Sequence, residues 1–67
     1  MKLKNNIAFL RKQLTKKLQS RSDDYLQGQY DAYLDMLDDP DLTIESWSYL
    51  RTNCDVIYDI LKKRRKL

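Results

Sequence analysis

The sequence predicts an all-α fold, a small three-helix bundle, on three observations. Apolar residues recur at helical spacing in three separate segments, cap-forming residues fall between those segments, and no segment sustains the period-2 alternation of a strand. A chain of 67 residues forms one domain, residues 1–67, and lies below the roughly 70–80 residues at which a single hydrophobic core becomes comfortably self-sufficient.

The first helix is expected at about 3–19. Leu3, Ile7, Leu10, Leu14 and Leu18 follow one another at steps of four and three, so at ~100° per residue they share one arc of about 80°. Ser20 and Ser22 are suitable N-caps for a second helix at about 23–38, whose first turn holds Asp23 and Asp24, where carboxylates complement the helix dipole. Its inward stripe is Leu26, Tyr30, Tyr33 and Leu37, with Asp31 and Asp35 on the opposite face. Pro40 and the carboxylates around it end that helix. Thr43 then caps a third helix at about 44–65, which has Glu45 in its first turn and a run of cations in its last.

This third helix carries two apolar stripes. Trp47, Leu50, Cys54, Ile57 and Leu61 form a coiled-coil-like seam, in which Cys54 is expected to be buried and unreactive. Tyr49, Val56, Ile60 and Leu67 form a second stripe about 110° around the helix. Because so small a chain gains from oligomerisation, the second stripe is read as the partner-binding surface and as the seam of a homodimer.

Charge follows the same boundaries. Residues 1–21 carry seven bases and no acid, residues 22–45 carry eight acids and no base, and residues 46–67 are again basic, for a net +3. An acidic middle helix between two basic ones is the arrangement expected of such segregation. Phe9 stands on the face that also carries Lys2, Lys12 and Lys16, away from the leucine stripe. If the chain binds nucleic acid, Phe9, Lys12, Lys16, Lys62, Lys63, Arg64, Arg65 and Lys66 are the residues expected to do so. They place an aromatic face and cations together, and parallel first and third helices bring the two basic blocks to one end.

Composition narrows the chemistry. The absence of histidine, with one cysteine and one glycine, excludes a zinc-ligand set, a histidine-based triad, and phosphate- or dinucleotide-binding glycine loops. A calcium loop begun at Asp39 fails, since Ile44 stands where glycine is needed and Leu50 where glutamate is needed. No enzyme activity, metal, cofactor or small-molecule substrate is therefore expected. No apolar run is long enough for a signal-peptide core or a membrane span, which points to a cytoplasmic protein without membrane contact. The five tyrosines suit an interface, having large apolar bodies with polar tips. Gly28 and Ala32, four residues apart, permit close approach of a neighbouring helix.

Two stretches resemble known groups. Lys4-Asn5-Asn6-Ile7-Ala8-Phe9-Leu10-Arg11-Lys12-Gln13 looks like the first helix of Cro/repressor-like helix-turn-helix proteins, but the helix then continues through Leu18 with no turn and no recognition-helix pattern. Tyr25-Leu26-Gln27-Gly28-Gln29-Tyr30-Asp31-Ala32-Tyr33 is similar to helices in small uncharacterised proteins of phages and mobile elements of low-GC Gram-positive bacteria, which implies an accessory or inhibitory role and assigns no site residues. The expected function is that of a small non-enzymatic protein that binds another protein, as a phage-encoded regulator or inhibitor of a host complex. The alternative is a nucleic-acid-binding regulator.

Overall fold

Ser22 and Thr43 start two of the three helices. In a computed structural model, which describes residues 3–64 with side chains from residue 7 onward, both residues have extended backbone. Ser22 Oγ accepts from the Tyr25 N–H at 3.1 Å, and Thr43 Oγ1 accepts from the Ser46 N–H at 3.1 Å. Each satisfies an amide that the first helical turn leaves without a carbonyl partner. The helices are α1 (Leu3–Leu18), α2 (Asp23–Met36) and α3 (Ile44–Lys63), and no strand occurs among the described residues.

Each helix starts where the sequence places it and stops one or two residues early. The α2 helix ends at Met36 rather than near 38, because the amides of Asp38 and Asp39 turn inward to the carbonyls of Asp35 and Met36, a tightened last turn ahead of Pro40. Asp39 then folds the connection, its carboxylate accepting from the Asp41 N–H at 2.9 Å. At the end of α3 the Arg64 amide still reaches the Ile60 carbonyl, while Arg65, the last residue of the expected helix, lies outside the described residues.

Both α1 and α2 pack on α3 and meet each other little, so α3 is the central element of a slab of 33 × 25 × 15 Å. Arg11 reaches Asp55 and Asp59 while Arg64 reaches Gln19, so α1 and α3 run parallel. The α2 helix runs antiparallel to both, with Asp23 against Arg64 and Tyr30 against Tyr58, their ring centroids 6.4 Å apart. The core consists of Leu14, Leu18, Leu26, Val56, Ile57, Ile60 and Leu61, with Leu10, Tyr30 and Tyr33 packed against it. Fully burying each such aliphatic side chain contributes ~1.5–3 kcal/mol, and α3 supplies four of the seven.

The two stripes of α3 are therefore explained within one chain. From Leu50 onward the seam is buried, Cys54 included, as expected for a face covered by α2. Val56 and Ile60 are also buried, at 2% and 7% exposure, in one cluster with Leu14 and Leu18 of α1. They are thus core residues rather than the partner-binding surface the sequence suggested, because a helix flanked by two others needs an apolar arc of about 200°. Leu67, the last member of that stripe, lies outside the described residues.

Trp47 departs from its seam and stands 47% exposed. Setting Tyr30 against Tyr58 brings Met36 level with Thr52, so Trp47 stands beyond the end of α2. Thr52 is buried and donates to the Ser48 carbonyl at 2.7 Å; buried Asn53 donates to the Tyr49 carbonyl at 2.9 Å. Among the described residues no buried side-chain nitrogen or oxygen lacks a partner.

Candidate interaction surface

Covering α3 from two sides leaves a groove between α1 and α2, and tyrosines collect there. Tyr25 and Tyr33 from α2 and Tyr49 from α3 line a cleft of about 50 Å³ with Lys17 of α1, floored by Asn53 and Ile57. The spacing of α2 causes this, since Tyr25 and Gln29, at steps of four, lead along one edge of the inward stripe to its member Tyr33. Tyr33 is half-buried and its phenol is pushed up from its ordinary range, by burial first and then by Tyr49, Tyr25 and Cys54 around it. Tyr25 and Tyr49 remain 41% and 47% exposed, and the Arg21 guanidinium lies 5.0 Å from the Tyr25 ring centroid. Tyr49 also borders a shallow depression formed by Leu42, Glu45, Ser46 and Leu50, so the two concavities share Tyr49.

A second surface runs along α1. Phe9 is 66% exposed, and Lys12 and Lys16 are exposed on the same face without an ion pair among the described residues. Thr15 and Gln19 link this face to a cleft of about 410 Å³ that is also lined by Val56, Asp59, Ile60, Lys63 and Arg64. Parallel packing thus brings the two basic blocks to one end, as the sequence suggests. Lys62 and Lys63 are exposed there, while Arg65 and Lys66 lie outside the described residues.

Arg64 departs from its expected part in a basic patch. Its guanidinium donates to the Gln19 carbonyl at 2.6 Å, the Arg21 carbonyl at 2.9 Å and the Asp23 carboxylate at 2.7 Å, clasping the α1–α2 turn to the end of α3. Its charge is thereby engaged within the fold. Arg11 is similarly turned inward, to Asp59 at 3.2 Å and Asp55 at 3.7 Å.

The tyrosine cleft, at about 50 Å³, is far below the ~300 Å³ at which small-molecule sites begin, whereas the cleft beside Thr15 and Gln19, at about 410 Å³, falls within that range. Cys54 is buried, and its thiol is pushed up by burial first and by Asp55 next, with Arg51 pulling the other way, so it is the opposite of an activated nucleophile. Among the described residues no group of three or more Cys, Asp or Glu side chains is placed to hold a metal ion, and no helix is long and apolar enough to cross a membrane.

Of the residues singled out in the sequence, Tyr49 is exposed, whereas Val56 and Ile60 are buried and line the 410 Å³ cleft at only 2% and 7% exposure. The sequence places Tyr33 on the inward stripe of the second helix and presents Tyr25 only as one of five tyrosines suited to an interface. Their convergence with Tyr49 depends on antiparallel packing, which no local pattern encodes. No family model, curated protein or solved structure matches the chain.

Proposed function

We propose that this chain is a small non-enzymatic helical protein that binds another protein, through the face centred on Tyr49. One observation carries the reading: Tyr25 and Tyr49 stand 41% and 47% exposed after the core is complete and converge with half-buried Tyr33 on one cleft. Aromatic side chains with polar tips lose little conformational entropy when they dock, and they dominate interface energetics. The occupant that fits the tyrosine face is a protein segment with apolar side chains for the cleft and a carboxylate for Lys17 and Arg21 at its end. The likeness of Tyr25–Tyr33 to proteins of phages and mobile elements supports a regulator or inhibitor of a host complex, acting in the cytoplasm.

The test is affinity capture of the tagged protein from its native cell, with and without nuclease, using the wild type and Tyr49→Ala. A partner that survives nuclease and is lost with Tyr49→Ala supports the reading, since truncating an interface anchor typically costs ~2–4 kcal/mol. Equal recovery by Tyr49→Ala would remove this face from the interface. Nucleic-acid binding is the second reading, favoured by Phe9 beside Lys12 and Lys16. It predicts affinity that falls steeply with salt and a loss of ~1–3 kcal/mol on single strands with Phe9→Ala. The engagement of Arg64 and the acidic face of α2 weigh against it.

A further inference from the structure

We infer that copies of this chain associate head to tail, the outer face of α1 in one copy docking on the outer face of α2 in the next. The two faces lie on different edges of the slab, because α1 and α2 each turn their apolar stripe toward α3. On α1 the outer face presents Phe9, Lys12 and Lys16; on α2 it presents Asp24, Asp31 and Asp35, all exposed. None of these five charged side chains has an ion pair among the described residues. The fold therefore leaves one cationic and one anionic helix face on a single molecule.

Shape agrees with charge. Gly28 and Ala32 lie among those carboxylates on the exposed side of α2, and a side chain at Gly28 would meet nothing within 4 Å. Among the described residues nothing occupies the space that Gly28 leaves. A protruding Phe9 with lysines three and seven residues on fits a surface of small residues bordered by carboxylates, so the occupant of each face is a second copy. A nucleic acid would satisfy the α1 face alone and would be repelled by the acidic edge of the same molecule.

Such a contact joins two different surfaces, so it propagates from copy to copy rather than closing as a symmetric dimer. It is also independent of the Tyr49 face. Sedimentation at increasing protein concentration tests it, at about 10 mM salt, where the Debye length is ~30 Å, and at about 1 M, where it is ~3 Å. The expected result is a mass that climbs past the dimer without a plateau at low salt and returns to the monomer at high salt.

Lys12→Gln/Lys16→Gln and Asp31→Asn/Asp35→Asn, each checked for native helicity, should weaken self-association about tenfold. Mixing the two variants should restore a one-to-one complex, because one intact pair of faces survives. A wild type that stays monomeric at low salt overturns the inference. So does a dimer indifferent to both variants, or a mixture that fails to combine.

Discussion

Arg64 closes one end of the molecule by itself, through a fork that matches two carbonyls and a carboxylate within 2.6–2.9 Å. The site is partly exposed, with Arg64 and Asp23 side chains at 29% and 39%, so solvent screening reduces what a charged hydrogen bond contributes. Arg64→Ala should therefore destabilise by about 1–2 kcal/mol in urea unfolding with an unchanged slope, and Arg64→Lys should restore less than half of that, lacking the planar fork. Its partners lie 41 to 45 residues away in sequence, which is why the sequence presents Arg64 only as part of a basic run. Cys54 shows the opposite situation. Its burial follows from a seam position within the length of α3 that α2 covers, whereas Trp47 on the same seam lies beyond it. Both Cys54 and Tyr33 have pKa values raised in the folded state, so burial favours their neutral forms. The associated stability is fully present below the thiol's ordinary 9.0 and is lost as the pH rises through that value and then through tyrosine's ordinary 10.0. Unfolding midpoints should fall as the pH is raised beyond about 9, and the native thiol should label far more slowly than the unfolded one; rapid native labelling would show the seam to be open.

Caps and burial gradients decide how firmly each element is held. Ser22→Ala and Thr43→Ala should each cost about 1 kcal/mol, read from urea midpoints, because each hydroxyl accepts from an N–H of a first helical turn. The starts of α2 and α3 were readable in the sequence because capping is local. Along α1, burial deepens from half-buried Ile7 and Leu10 to buried Leu14 and Leu18, while α3 is buried on a wide arc from Leu50 to Leu61. Amide exchange should accordingly be slowest in the second half of α3 and fastest in α1 ahead of Leu10. Uniform protection along α1 would contradict that gradient. The two stripes of α3 were also readable, but what covers the second was not: a pattern shows that Val56 and Ile60 must be covered, and only the tertiary packing shows that α1 of the same chain covers them.

At the scale of the whole molecule, placing one helix between two others lets 67 residues build a core without a partner chain. It also determines what remains outside: a tyrosine-lined groove, a cationic face and an anionic face. The segregated charge was plain in the sequence, whereas the gathering of Tyr25, Tyr33 and Tyr49 required the antiparallel setting of α2 on α3. Everything said of the free surfaces depends on α3 directing both stripes inward. Far-UV circular dichroism through a thermal melt of Val56→Asp, with exposed Tyr49→Asp as the control, tests that claim most directly. A domain of this size holds roughly 3–10 kcal/mol, and an unpaired carboxylate at a 2%-exposed site costs a comparable amount. Val56→Asp should lose its cooperative transition and most of its helicity, while Tyr49→Asp melts close to the wild type. Native helicity and an unchanged midpoint in Val56→Asp would show that this stripe is a surface and that α1 does not cover it.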